Sequence, residues 1–289
     1  MLFYKIIGYT SRKNILLRKI FSKLGILRII RKADFYSIIK LSSGEYFLVN
    51  PKDWIGFRCF ISGCYDIEKK YEKCLMQIAR QNEIKTFLDI GANHGYYSLK
   101  IASAFPNGRV YSFEPFSYNL EILNKNITLN SLENITVVNN VVSNIENKVK
   151  VYFSGKENSG ETTAVRIEAD QKISSYEEVE SIVLDSWLMK ENLKKIDLVK
   201  IDVEGFELNV LKGMKKILLR DKPFVFVEHN SKTLSKNSSS IEEIVNYMKA
   251  HNYLAYDISK GYLEPYVSGD KNLVLYVNEC HKKQASFLR

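Results

Sequence analysis

Acidic and small residues crowd one short stretch of this sequence. Residues 86–95 read TFLDIGANHG: Asp89 lies in an apolar run with Phe87, Leu88 and Ile90, and Gly91, Asn93 and Gly95 fall in the turn that follows. A helix-like segment over 96–105 begins at once. A strand–turn–helix of this kind sets backbone N–H groups and the positive end of a helix against a ligand. Gly91 and Gly95 have no Cβ, which lets a ligand come close to the backbone. Asn93 belongs to the few types that tolerate left-handed backbone. Residues 110–115, VYSFEP, then put Glu114 at the end of a second strand, placed to accept hydrogen bonds from both hydroxyls of a ribose. The chemistry is that of a nucleoside-cofactor site.

Two cofactor classes compete for it. A dinucleotide asks for G-x-G-x-x-G with an acid about 20 residues further on. The turn here is GANHG, which lacks two of those glycines and the tight approach to a diphosphate that they permit. S-adenosylmethionine carries no diphosphate, so a looser D-x-G-x-N-x-G turn serves it. Asp89 also offers a carboxylate to an ammonium or sulfonium, where phosphates would be repelled. The residues favour S-adenosylmethionine; a dinucleotide and a βαβ turn without ligand are the remaining readings.

Ligands of open α/β sheets sit outside the C-terminal ends of the strands. A strand over 197–203 delivers Asp202 and Glu204 within KIDVEG, and the next, 224–228, leads into Glu228, His229 and Asn230. Acids crowded beside a glycine are costly as core residues, so a site is the better reading. The bland alternative for Asp202 and Glu204 is capping or first-turn charge on the following helix, most of all for Glu204. Asp202 and Glu204 are the candidate catalytic carboxylates. His229 is a candidate base oriented by Glu228, or a ligand to the substrate. His94 reads as a side chain of the cofactor turn without a chemical role. Val142 and Ser143, after the third strand, lie where an adenine ring would be held.

Positioning these residues takes a regular alternation. Strands are expected over 86–90, 109–113, 135–139, 148–153, 181–184, 197–203 and 224–228, with helices over 96–105, 118–130, 206–219 and 241–251. Two last β-like segments, 254–258 and 272–277, can pair as a closing hairpin. Such alternation predicts an α/β fold of Rossmann-like type: a mainly parallel seven-stranded sheet with helices on both faces and a C-terminal antiparallel hairpin. That hairpin is more typical of methyltransferases that use S-adenosylmethionine than of dehydrogenases. The polar interval between 153 and 181 is long for a loop, which marks it as mobile or functional. Upstream, 35–50 reads as a hairpin around Ser42, Ser43 and Gly44, and 67–81 as a helix with Tyr71, Cys74, Leu75 and Ile78 inward. Between them DWIGFRCFISGCYD is a lid or, slightly preferred, a packed connector. Residues 12–32 mix basic and apolar side chains at helical spacing. Leu16, Leu17, Ile20, Leu24 and Leu27 share one face, Ile15, Ile26 and Ile29 the far side, and Gly25 weakens the helix. An anionic membrane surface and docking on the domain both fit this segment. The expected division is 1–34 basic amphipathic segment, 35–82 hairpin and helix packed on the core, 83–280 catalytic domain and 281–289 tail.

Charge separates these parts. The chain of 289 residues carries a net +9, and residues 1–40 hold ten Lys/Arg against Asp34 alone, which accounts for all of it. The body is neutral overall and shows no bias towards nucleic acid, so no nucleic-acid partner is expected. Cys59, Cys64, Cys74 and Cys280 form no metal-type spacing and read as free thiols of a reducing, cytoplasmic compartment. The sequons at Asn126, Asn134 and Asn237 read as coincidence in so Asn-rich a chain. Charges interrupt every apolar run near the start, so neither a signal peptide nor a membrane span is expected.

The combination FLDIGANHGYYS, FEP, VVSN, VLDSW, LVKIDVEGFELNVLKG and VFVEH resembles the FkbM family of methyltransferases dependent on S-adenosylmethionine, over roughly 61–257. The resemblance implies a class I methyltransferase fold and O-methylation of a hydroxyl on a sugar, glycolipid or polyketide-type scaffold. Asp89, Gly91, Asn93, Gly95 and Glu114 match its cofactor motifs, and Asp202 and Glu204 its KID-x-EG segment. Residues 1–40 lie outside the pattern. The expected acceptor is a carbohydrate or glycolipid, with Asp202 or His229 as base. No metal ligand set is assigned, a divalent ion bridging Asp202, Glu228 and the acceptor being a weaker alternative. An RNA methyltransferase and a catalytically degenerate membrane-attached module are the competing functions.

Overall fold

The computed structural model describes residues 2–153 and 175–288. The chain opens with α1 (Leu2–Lys13), α2 (Ile15–Lys23) and α3 (Ile26–Lys32), a hairpin β1 (Ser37–Lys40) and β2 (Tyr46–Val49), then α4 (Trp54–Ser62) and α5 (Lys69–Gln81). The alternating body follows as β3 (Thr86–Ile90), α6 (Tyr96–Ala104), β4 (Arg109–Phe113), α7 (Ser117–Leu129), β5 (Ile135–Val138), β6 (Val141–Ser143), β7 (Lys148–Phe153), β8 (Ser175–Val183), α8 (Leu184–Lys190) and β9 (Leu198–Ile201). It ends in α9 (Glu207–Gly213), α10 (Lys215–Arg220), β10 (Phe224–His229), α11 (Ser231–Lys236), α12 (Ile241–Ala250), β11 (Tyr253–Asp257), β12 (Glu264–Pro265), β13 (Lys271–Asn278) and a 3₁₀ segment, Glu279–Leu288.

The main sheet runs β12-β11-β13-β10-β9-β3-β4-β5. The five strands from β10 to β5 are parallel, and β13 lies antiparallel to both β10 and β11. This is the expected Rossmann-like sheet with its closing hairpin, widened to eight strands by the two-residue β12. Strand order reverses between β3 and β9, the switch point where a crevice opens. Asp89 and Lys200 are register partners across it.

Helices cover both faces. Phe87, Leu198, Phe224 and Phe226 pack on one side of the sheet; Leu88, Ile90, Val199, Ile201, Val225 and Val227 pack on the other. Alternation along each strand produces this division. The first cluster also takes in Ile7, Leu27, Ile30, Ile39 and Phe47, so the N-terminal segment shares the core of the body. Each such large side chain, fully buried, contributes roughly 1.5–3 kcal/mol.

Several elements differ from expectation for identifiable reasons. The stretch DWIGFRCFISGCYD is not a bare connector: Asp53 caps Gly56 N, Gly63 closes the end at φ 74°, and α4 forms between them with Phe57, Cys59, Phe60 and Ile61 buried. The helix expected over 206–219 divides at Met214 into α9 and α10. The strand expected over 181–184 begins at Ser175 and joins β6 and β7 in a separate three-stranded sheet. Residues 154–174 of the polar interval lie outside the described residues. The helix expected over 12–32 is broken by Gly25 at φ 71°, and of the residues expected to share one face, Leu16, Ile20 and Leu24 are exposed while Leu27 is buried.

Candidate active site

The turn after β3 is satisfied from within. Gly91 N and Ala92 N donate to Phe113 O, Asn93 N to Glu114 Oε2 at 2.8 Å, His94 N to Asn93 Oδ1 at 2.7 Å and Gly95 N to Ala92 O. All five amides from Gly91 to Gly95 are therefore consumed, and none is left to cradle a diphosphate. The expectation that these N–H groups face a ligand is corrected, and the dinucleotide reading loses its physical basis.

The glycines serve packing as well. A Cβ on Gly91 would stand 1.9 Å from Asp202 O, and one on Gly95 would stand 2.4 Å from Leu123 Cδ1. Both residues have positive φ, 79° and 85°, and Asn93 joins them at 50°. Gly91 thus lets the ends of β3 and β9 touch. Glu114, at the end of β4, is buried and accepts from Asn93 N, from Phe116 N at 3.0 Å and from Asn119 Nδ2 at 3.3 Å. Burial pushes its carboxyl up to about 7 despite these bonds. It clamps the turn to the start of α7 and keeps lone-pair capacity on Oε2.

Across the switch point stands a carboxylate cluster with one cation inside it. Lys200 Nζ donates to Asp202 Oδ2 at 3.0 Å and lies 3.9 Å from Asp89 Oδ1. Burial works against the lysine's charge, but Asp202, Asp89 and Glu68 outweigh it and hold Lys200 protonated. Asp89 is buried; its Oδ2 accepts from Ser98 Oγ at 2.6 Å, and its Oδ1 is buried without a hydrogen-bond partner. Burial raises its pKa, with Lys200 opposing. Glu68 accepts from Tyr97 Oη at 2.7 Å and is pushed up to about 7 by burial and then by Asp202.

Past β9 the chain turns sharply. Glu204 and Gly205 have φ of 52° and 104°, and a Cβ on Gly205 would lie 2.4 Å from Thr233 O. Glu207, not Glu204, carries the first-turn charge of α9: buried, it accepts from Val203 N and Gly205 N at 3.1 Å. That frees Glu204 from the capping role. Ligand atoms of Asp202, Glu204 and Glu228 lie within 4.8 Å of one another, a spacing that a divalent cation could bridge. Glu228 Oε2 is buried without a partner, and burial, followed by Asp202, Glu204 and Glu207, pushes its carboxyl well above the usual range. Like charges this close oppose one another's ionisation, which favours the protonated form of Glu228.

His229 does not join them. It follows Glu228 on β10 and so points to the opposite face, where Nε2 meets Tyr276 Oη at 2.9 Å and the ring packs edge-on against Tyr266. Burial lowers its pKa to about 4. A buried, weakly basic imidazole on the wrong side of the sheet is not placed to take the acceptor's proton. Val142 and Ser143 are buried, and Ser143 O stands 2.0 Å from where a Cβ on Gly213 would be, so β6 packs closely on α9. His94 is buried with Nδ1 4.0 Å from Asp53 Oδ2, a structural side chain of the turn as expected. Lys200, Glu68 and Glu207 were not expected as site residues. Lys200 had a signal, a charge inside the apolar run LVKI; Glu68 had none, because it arrives from the α4–α5 connection.

The donor set suits a cationic ligand. Three carboxyl groups (Glu68, Asp89 and Asp202) act on Lys200, Glu204 and Glu228 adjoin Asp202, and Asp89 Oδ1 is buried without a hydrogen-bond partner. Such a site favours an ammonium or sulfonium over an anion.

The sequence matches the Methyltransferase FkbM domain family over residues 89–255. It is 27% identical over 209 residues to methyltransferase sdnD of Sordaria araneosa, covering 63% of this chain and 73% of that protein. It is 22% identical over 180 residues to the 2-O-methyltransferase NoeI of Sinorhizobium fredii, covering 58% and 72%. A solved structure of methyltransferase FkbM from Methylobacillus flagellatus superposes with a TM-score of 0.44 at 17% identity, covering 68% of this chain and 44% of that one. The chain thus spans less than half the length of that solved structure.

Proposed function

The chain belongs to the FkbM methyltransferase family, and from that premise we propose that it moves a methyl group from S-adenosylmethionine to a hydroxyl of a sugar, glycan or glycolipid-like acceptor. The observation that carries this reading is the anionic cluster at the switch point, set beside a turn with no free amides. It suits a cationic nucleoside and refuses a diphosphate. When bound, S-adenosylmethionine supplies a methyl group already activated by a positive sulfur. The relative NoeI is a 2-O-methyltransferase, which supports oxygen as the nucleophile.

The chain's own residues then have two tasks. Alignment is the larger, worth up to ~7–11 kcal/mol. Asp89 Oδ1 is the free acceptor for a cationic group, and Glu114 is the acceptor for ribose hydroxyls. Proton removal is the second, worth ~10²–10⁴-fold. Asp202 is the base: its side chain is 28% exposed, and Lys200 holds only Oδ2. Glu228, whose carboxyl burial and its neighbours push well above the usual range, serves as a hydrogen-bond donor to the acceptor rather than as the base. Glu204 stands at the mouth in a strained left-handed conformation, a contact for the acceptor.

Formation of S-adenosylhomocysteine against a panel of bacterial-type glycan lipids and free sugars tests the reading. Product with at least one hydroxylated acceptor is expected. Binding of S-adenosylmethionine without turnover on any of them would turn the assignment towards a degenerate module.

A further inference from the structure

From the face that α2 turns outward, we infer that the N-terminal helices are a docking surface for an anionic lipid bilayer. This goes beyond the methyl-transfer reading and does not depend on it. Helix α2 has no buried residue. At 3.6 residues per turn Ile15, Leu16, Lys19, Ile20 and Lys23 share one side, and Leu17, Arg18 and Phe21 the other. The second side is the attached one. Arg18 Nη1 donates to Ser62 Oγ at 2.6 Å and lies 3.7 Å from Asp66, while Phe21 packs on the core. In α3, Leu27 and Ile30 are buried and anchor the next turn.

Docking therefore uses one side and leaves an apolar side in water. Ile15, Leu16, Leu24 and Ile29 are 65%, 66%, 67% and 58% exposed. A cluster of this size is unusual on a surface that meets only solvent. Lys19, Lys23 and Arg28 lie among these side chains, exposed, and none makes an ion pair among the described residues. No acid occurs before Asp34, so the surface has one sign.

Apolar side chains interleaved with unpaired cations match the acyl boundary and the anionic headgroups of a bilayer at once. Nucleic acid would use the cations and leave Leu16 and Leu24 without a role. No helix among the described residues is long and apolar enough to cross a membrane, so the contact lies in the interface plane. The lipid-facing helix is also tied to the crevice. Asp66, which Arg18 and Arg58 both hold, is two residues from Glu68 of the carboxylate cluster.

The test is co-sedimentation of the full chain with phosphatidylcholine vesicles, with and without phosphatidylglycerol. Binding to the anionic vesicles only, weakened by salt, is expected. Lys19→Gln with Lys23→Gln should cut the partition about 25-fold, about 5-fold for each charge. Leu16→Ser with Leu24→Ser should also cut it strongly, at unchanged melting temperature and unchanged S-adenosylmethionine affinity, since these side chains touch neither core nor crevice. Equal binding to neutral vesicles, or none to either, overturns the proposal. So does a dimer by light scattering that the Leu16→Ser/Leu24→Ser variant abolishes, or RNA binding that this variant leaves intact in the absence of vesicle binding.

Discussion

Lys200 donates to Asp202 Oδ2 across 3.0 Å from a strand whose other members, Leu198, Val199 and Ile201, are all buried and apolar. The lysine is what lets several carboxylates share one crevice. Replacing it by Met keeps the volume and removes the ammonium that Asp202, Asp89 and Glu68 share. Lys200→Met should lower stability by about 3 kcal/mol, the cost of leaving a buried partner unpaired. Asp89 would then be held protonated more strongly, so part of the loss should return as pH falls. Thermal melts at several pH values check this; a variant as stable as the parent at neutral pH would show that the pairing carries no energy.

Glu68 predicts a pH slope. Its folded-state value of about 7 lies above the ordinary 4.5, so the folded chain binds that proton more tightly than the unfolded chain. Its contribution to stability is full below pH 4.5 and lost as pH rises through 7. Glu68→Gln keeps an oxygen for Tyr97 Oη and removes the titration. The variant should lose part of the fall in stability between those values and gain at most about 3 kcal/mol above neutrality. An unchanged slope in denaturant titrations would place the titrating group elsewhere.

The turn and the acids were legible in the sequence because they occupy strand ends, and strand ends follow from alternation. Face and register were not. His229 and Glu228 are adjacent, so one side of the sheet or the other had to receive each. Only the pairing of β10 with β9 and β13 decides which. Glu204 and Glu207 are equally plausible first-turn acids on paper, and the left-handed bend at Glu204 and Gly205 selects Glu207. Gly91 was read as making room for a ligand, whereas the room is filled by the Asp202 carbonyl, a contact between residues far apart in the chain. The face of α2 that meets the body was left open, because the helical wheel gives an apolar arc without saying which arc is attached.

Gly91 therefore separates conformational cost from crowding. Gly91→Ala meets both a positive φ of 79° and the Asp202 carbonyl at 1.9 Å, whereas Gly261, at φ 88°, has nothing within 4 Å. Gly261→Ala should cost about 1 kcal/mol. Gly91→Ala should cost more than about 3 kcal/mol, strain and overpacking together. Similar melting temperatures for the two variants would contradict the close approach of β3 and β9.

Glu114 should govern cofactor affinity. Glu114→Ala removes the ribose acceptor and leaves Asn93 N and the buried Phe116 N without their partner. Loss of a charge-assisted bond predicts affinity for S-adenosylmethionine weaker by ~10–100-fold. Glu114→Gln keeps one acceptor oxygen and should fall between alanine and the parent. Calorimetry measures all three, and equal affinities would dispose of the assignment.

Asp202 and Glu228 lie close together and are expected to behave oppositely. Asp202→Asn keeps an oxygen for Lys200 Nζ but cannot hold the acceptor's proton. Binding of S-adenosylmethionine should stay near the parent's while kcat falls by ~10²–10⁴. Burial and its neighbours push the Glu228 carboxyl well above the usual range, which favours an O–H donor there. Glu228→Gln supplies an N–H donor in the same place and should retain most of the rate, whereas Glu228→Ala should not. Rates for the three variants on one acceptor, with cofactor affinity measured alongside, decide the matter: a base at Glu228 would give the reverse order, with Asp202→Asn active and Glu228→Gln inert.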